Sequence, residues 1–288
     1  MFPSHLACPF LPLSARWRCW YNLAIMKIAR IEDRERLKRF FQTRVYLHLY
    51  SLGDLDDFYW PYTTCFGLTD GGRLRAVLLL YQGQSLPTLL ALGKRLSFLT
   101  ELIHNLNDQL PPRFYAHLSP GLEAVFEAGW TLEPHGLHLK MGLLSPDKLT
   151  GINTQGTEQL GPAQREEILQ FYRISYPDNW FDPRMLETGQ YFGFRKGRKL
   201  VSVAGVHVYS PRYQAAALGN IATLPAVRGL GWATRVTARC CQQLRQDIRW
   251  IGLNVQADNQ PAISCYQKIG FEPVENYLEF TISRKSPT

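Results

Sequence analysis

The sequence predicts an α+β protein of two domains with related topology, each a mixed, mostly antiparallel sheet flanked by helices. Three observations carry that expectation. Each half of the chain runs through a hairpin, a strand, a helix, a strand, a short helix and a final strand. Each half also closes on a related phrase. Ala124-Val125-Phe126-Glu127-Ala128-Gly129-Trp130 echoes Ser264-Cys265-Tyr266-Gln267-Lys268-Ile269-Gly270-Phe271, a helix ended by Gly and then an aromatic. Between the halves, residues 145–159 are polar and rich in Gly and Thr, the composition of a linker. A length of 288 residues is long for one core and sufficient for two, and 45% hydrophobic residues exclude a disordered chain.

The elements follow in order. Residues 1–25 carry Trp17, Cys19 and Trp20, with no acid before Glu32, and read as a disordered extension or a product of start-site choice. Met26 then opens ordinary protein, with residues 26–144 as the N-terminal domain. Asp33 to Tyr50 reads as one or two helices, and Asp54 to Trp60 as an acidic, aromatic turn closed by Pro61. Thr63 to Thr69 and Leu74 to Tyr81 flank Asp70-Gly71-Gly72, a hairpin signal. Thr88 to Leu92 is a strand. Leu96, Leu99, Ile103, Leu106 and Leu110 recur at helical spacing until Pro111-Pro112. Phe114 to Leu118 is a strand, Leu122 to Ala128 a short helix, and Leu137 to Leu143 a strand.

Residues 160–288 form the second domain. Pro162 opens a helix to Ser175, and Tyr176 to Pro183 is a loop unusually rich in aromatics. Tyr191 to Arg195 and Leu200 to Tyr209 form a hairpin around Lys196-Gly197, and Tyr213 to Thr223 is the next strand. Val227-Arg228-Gly229-Leu230-Gly231-Trp232-Ala233-Thr234 then leads into a helix, with Ala233, Val236, Cys240 and Leu244 on one face. Glycines there let the backbone approach a ligand, the helix start offers unpaired N–H groups, and Arg228 adds a positive charge. This turn suits a phosphate or pyrophosphate. After the strand Trp250 to Gln256, Asn259 and Pro261 start a helix that Gly270 ends. Asn259, Ala262 and Tyr266 share one face of it. Val274 to Ser283 is the last strand or strand pair.

Composition narrows the partners. The longest apolar run, Ala76 to Tyr81, is far too short to span a bilayer, so no membrane association is expected. A net charge of +8 without a basic, aromatic-interleaved run favours a phosphate-bearing small ligand over nucleic acid. Cys8, Cys19, Cys65, Cys240, Cys241 and Cys265 show no Cys-x-x-Cys spacing. They read as apolar residues of a reduced, cytoplasmic protein with no metal.

Arg-x-x-Gly-x-Ala is weak alone. Followed 26 residues after Ala233 by Asn259-x-x-Ala262-x-x-x-Tyr266, it resembles the Gcn5-related N-acetyltransferase superfamily over residues 160–283. The two-copy arrangement and Gly219-Asn220-Ile221-Ala222-Thr223-Leu224-Pro225 resemble its glycine N-acyltransferase and FR47-like branch. Each domain is then GNAT-like, and the N-terminal copy degenerate, with Gly93 where the second has Gly229 and Gly231, and Val125 where the second has Tyr266.

The resemblance implies acetyl transfer from acetyl-CoA, as co-substrate, to an amine by direct attack. Backbone N–H groups of Gly229, Leu230, Gly231, Trp232, Ala233 and Thr234 would hold the CoA pyrophosphate, with the Arg228 charge beside them. Ile221, Ala222 and Thr223 would pair with the pantetheine, Asn259 would bond it beside Ala262, and Tyr266 would protonate the leaving thiolate. Where relatives carry a carboxylate base, this chain has Gly219 and Asn220. His207 is the favoured base, with Asp178, Asp182 and Glu279 as other candidates. Trp180, Phe181 and Tyr191 are expected to wall the acceptor, a small-molecule amine or amino acid rather than a protein. The alternatives are a non-catalytic acyl-CoA-binding sensor or scaffold, a protein N-acetyltransferase, and an N-terminal half that recruits a protein through the Asp54 to Trp60 turn.

Overall fold

The computed structural model describes residues 26–285. The expected extension 1–25 lies outside them. A single twelve-stranded sheet crosses the molecule. The first half contributes β1 (Lys27–Arg30), α1 (Arg34–Phe41), α2 (Leu49–Gly53), β2 (Thr63–Asp70), β3 (Arg73–Tyr81), β4 (Thr88–Ala91), α3 (Leu96–Leu106), β5 (Arg113–Leu118) and β6 (Trp130–Leu143). The second contributes β7 (Thr157–Leu160), α4 (Arg165–Ser175), β8 (Tyr191–Lys196), β9 (Lys199–Ser210), β10 (Ala215–Thr223), α5 (Trp232–Leu244), β11 (Trp250–Gln256), α6 (Gln260–Lys268) and β12 (Phe271–Arg284).

Local chemistry explains most of these elements. The Asp33 side chain accepts from Arg36 N and so caps α1, which buries Leu37 and Phe41. Gly71 and Gly72 both take positive φ, as the tight turn between β2 and β3 demands. Residues 145–159, expected as a linker, carry a short 3₁₀ turn at Pro146–Gly151 and the first residues of β7, and they bury Leu149 in the second half's core.

The strand order is β1-β2-β3-β4-β5-β12-β6-β11-β10-β9-β8-β7. In both halves one strand pair is parallel, β4 with β5 and β10 with β11, and every other pairing is antiparallel. The last strands are exchanged. β12 of the second half pairs with β5, and β6 of the first half pairs with β11. Phe280 and Ile282 of β12 accordingly belong to the core under α3, while Met141 and Leu143 of β6 belong to the core of α4, α5 and α6. Each such side chain contributes roughly 1.5–3 kcal/mol by leaving water.

α1 and α2 cover the other face of the sheet and reach across both halves, where Val208, Ala215 and Ala217 join their core. The acidic, aromatic turn after α2 is spent on this packing. Leu55 and Tyr59 are buried, Ser210 Oγ donates to Asp56 at 2.6 Å, and Tyr209 N donates to the Tyr59 hydroxyl. Leu55 and Tyr59 are thus spent on an internal seam, while Asp57 stays exposed and Asp56, Phe58 and Trp60 are half-buried.

Candidate active site

β10 and β11 pair from Ala215 and Trp250 as far as Leu218 and Leu253, and then part. Two irregularities cause the split. His207 is an extra residue in β9, between Val206 opposite Leu218 and Val208 opposite Ala217. Asn220 and Ile221 then bulge from β10, with Asn220 at φ +54. Tyr172 donates to Asn220 O at 2.6 Å, and Asn220 Nδ2 donates to the Tyr191 hydroxyl at 3.0 Å, so the bulge is braced from behind. Past it, Ala222 and Thr223 rejoin β9 on one side only, leaving Ile221 to Thr223 with a free edge toward the split.

The chain then turns through Gly229 and Gly231, both at positive φ, with open space where a Cβ would stand. The backbone N–H groups from Gly229 through Thr234 donate to no acceptor among the described residues; the first α5 bond comes from Arg235 N to Gly231 O. A run of free donors at the positive end of a helix is a cradle for an anion. Leu230 stands exposed beside it. Arg228 does not aim its charge there as expected. Its guanidinium donates to Thr223 O and Ser175 O, both at 3.1 Å, and clamps the turn to β10 and α4. Trp232 stacks on Phe194 at 4.2 Å, and the Thr234 hydroxyl contacts Cys265 Sγ at 3.2 Å, tying α5 to α6.

On α6, the Asn259 side chain caps the helix by accepting from Ala262 N at 3.2 Å, which leaves its amide N–H groups free. Tyr266 is buried against Phe271, and burial raises its phenol pKa, keeping the proton on at neutral pH. Tyr191 departs from expectation. It is fully buried, with its hydroxyl bonded to Val206 O, and it supports the bulge rather than walling an acceptor. Phe181 packs on Tyr172 and Tyr191, while Trp180 lies 4.8 Å from Tyr115 of the other half.

His207, the extra residue of β9, lies over Gly219. A Cβ on Gly219 would stand 1.8 Å from His207 Cδ2, so the imidazole occupies the space of a side chain at the mouth of the split. Burial lowers its pKa to about 4, partly opposed by Glu279, so the ring is neutral at pH 7. Asp182 bonds Arg184, and Asp182 Oδ1 accepts from Arg184 N, which makes it a cap. Glu279 sits in a polar cluster that sequence reasoning missed. His117 and His138 each place Nε2 3.3 Å from its carboxylate, and the Tyr115 and Tyr277 hydroxyls donate to it. Burial alone would raise the Glu279 pKa, but these partners outweigh it and hold it below the ordinary carboxylate range. Tyr50 of α2 lies over the same face, about equally close to His117 and His207, at 6.2 and 6.1 Å. The alternation in β5 and β12 could have revealed the cluster, had the strand exchange been legible.

Residues 159–271 match the model of the family described as Acetyltransferase (GNAT) family. The chain carries a GNAT acetyltransferase domain. No curated protein matches the chain. Among solved structures, a tandem GNAT protein from the clavulanic acid biosynthesis pathway is 16% identical, covering 92% of this chain and 100% of its own, with a TM-score of 0.54. A Drosophila protein is 12% identical over 91% and 99% of the two chains, at 0.65. A GNAT-family acetyltransferase described as putative, from Novosphingobium aromaticivorans, is 18% identical over 73% and 89%, at 0.54. These likenesses establish the fold across both halves. GNAT enzymes are N-acetyltransferases with acetyl-CoA as co-substrate, and the free N–H run beside an open strand edge fits that molecule's pyrophosphate and amide arm. No helix among the described residues is long and apolar enough to cross a membrane.

Proposed function

We propose that this chain acetylates the amine of a small molecule or amino acid, using acetyl-CoA held in the split between β10 and β11. Residues 160–288 are the transferring unit, 26–144 the copy that lacks a working cleft, and 145–159 their connection. The observation that carries the reading is the split itself, with its free N–H groups from Gly229 to Thr234.

In this reading the pyrophosphate takes those donors, and the pantetheine amides pair with the open edge of Ile221, Ala222 and Thr223. Asn259 contributes its free amide N–H groups, and Ala262 leaves room for the thin arm. The amine nitrogen attacks the thioester carbonyl, forming a C–N bond and a tetrahedral oxyanion that a β10 N–H stabilises. Its proton passes to neutral His207. The C–S bond then breaks, and the thiolate takes the Tyr266 proton. Trp180, against Tyr115, stands on the side from which an acceptor approaches.

A CoA-release screen across small amines, amino acids and peptides tests this reading. Turnover is expected with at least one small amine, and Tyr266→Phe is expected to cut kcat by roughly 10²-fold without changing acetyl-CoA affinity. Calorimetric binding of acetyl-CoA with no turnover on any amine would instead favour a sensor.

A further inference from the structure

Lys140 is the one Lys or Arg side chain that is buried among the described residues, at 2% exposed. Its neighbours Leu139 and Met141 turn toward the core of the second half, while Lys140 points to the face under α2. The ammonium makes one long hydrogen bond, 3.4 Å to Asn254 Oδ1. Otherwise it lies against the rings of Tyr277, at 4.4 Å, and Tyr50, at 5.3 Å. Both carboxylates that act on it are already engaged. Glu275 pairs with Arg44, and Glu279 with two histidines and two phenols. An ammonium taken from water without a carboxylate of its own is costly, and burial lowers its pKa to about 7. Packing alone does not require it, because a methionine would fill the same slot.

Its location suggests what completes it. Asn254 is the first residue of β11 beyond the last β10 pair, and Gly219 is its counterpart on β10. His207 lies over Gly219, and Lys140 bonds Asn254. Imidazole and ammonium thus flank the mouth of the split on one face, and the Tyr50 ring touches the surroundings of both.

We propose that Lys140 is a carboxylate receptor, so that the acceptor is an amine carrying a carboxylate, as an amino acid does. The acceptor nitrogen faces His207 while its carboxylate accepts from the remaining Nζ–H groups, supplying the counter-charge the fold withholds. The rings of Tyr50 and Tyr277 shield that pair from water. This inference rests on the acetyl-transfer reading and narrows its substrate class.

The test uses the full chain, acetyl-CoA, and probe amines paired as acid and amide: glycine and glycinamide, β-alanine and β-alaninamide, phenylalanine and phenylalaninamide. Thiol release should favour the acid of at least one pair by about tenfold or more in kcat/KM, the worth of one good charge-assisted contact. Lys140→Met and Lys140→Gln should erase that preference mainly through KM, with acetyl-CoA affinity unchanged and Tm level or higher. Lys140→Arg should retain part of it. Equal use of acid and amide by the wild type overturns the proposal, as does a preference that survives Lys140→Met. Turnover of no carboxylate-bearing probe, with acetyl-CoA still bound, also overturns it. If both apolar and amide variants fail to fold, the wild-type comparison decides alone. Failure to bind acetyl-CoA would instead remove the reading beneath the proposal.

Discussion

In the first half, β4 and β5 stay in register to their ends, with Ala91 opposite Leu118. Ser119 then seals the pair, donating its N–H to Ala91 O and accepting from Gly93 N on its hydroxyl. In the second half the equivalent strands part after Leu218 and Leu253, and no hydrogen bond among the described residues bridges them beyond that pair. The helix starts differ as well. Neither has a side-chain cap, but α5 follows two glycines at positive φ, whereas α3 follows Lys94 and Arg95. The first half replaces the nine-residue α6 with a 3₁₀ turn, Glu123–Phe126. One topology can therefore hold a ligand cleft or a closed sheet. An extra residue in β9, a left-handed Asn220 and a glycine turn separate the two outcomes. The closed half still borders the site, through Tyr50, Lys140 and His117.

The largest effect should come from filling the glycine turn. Gly231→Trp puts a bulky side chain at φ +80 and over the free donors, and should weaken acetyl-CoA binding beyond about 100-fold, or roughly 2.7 kcal/mol. Lys94→Trp, at the start of α3, should leave it unchanged; calorimetry of both variants checks the contrast. If the Lys94 variant loses affinity too, the first half is not a closed copy.

A smaller loss is expected at the mouth of the split. Gly219→Ala needs space that His207 fills, so the imidazole must move. Steady-state kinetics should show kcat lower by about 10-fold to 100-fold, with acetyl-CoA affinity nearly intact, since small misplacements are costly to positioned groups. Full activity would show that His207 is a spectator.

A third effect, on stability rather than on binding or turnover, concerns the seam. Asp54 is buried under the first half's helices, and burial raises its carboxyl pKa to about 8, from an ordinary value near 4. Between those values the folded chain keeps a proton that the unfolded chain releases. Asp54 therefore favours folding below about pH 4 and loses that contribution as pH rises toward 8. Asp54→Asn should flatten the decline of Tm across that window, measured by thermal denaturation at fixed ionic strength. An unchanged slope would mean that Asp54 is ionised in the folded protein.

Much of this was legible in residue order. The α3 leucines, the Asp70-Gly71-Gly72 hairpin, Pro261 and the two loop glycines each act over a few neighbours, so spacing reveals them. β1 and β7 escaped because four residues each are too few to show a period. β6 was read from Leu137 but begins at Trp130, since Pro134 and Gly136 interrupt the alternation. Tyr191 looked like a pocket wall because a sequence does not reveal which face of a strand is covered. Lys140 hid for the same reason, sitting between Leu139 and Met141 as a solvent-facing residue of a strand would. Arg228 was read as a phosphate ligand because its acceptors, Thr223 O and Ser175 O, are backbone atoms that any sequence supplies.

The exchange of β6 and β12 bears on how the chain is made. A ribosome delivers residues 26–144 long before β12, yet Phe280 and Ile282 complete the core under α3. Until Arg284 has emerged, β5 presents an unpaired edge and a partly open core, the state in which nascent chains associate wrongly. Folding half by half in order of synthesis is thus unavailable. The final strand locks both halves in one late, long-range step, and such steps are slow because a long loop must close before its strands can pair. A truncation inside β12 should therefore strand the first half as well as the second.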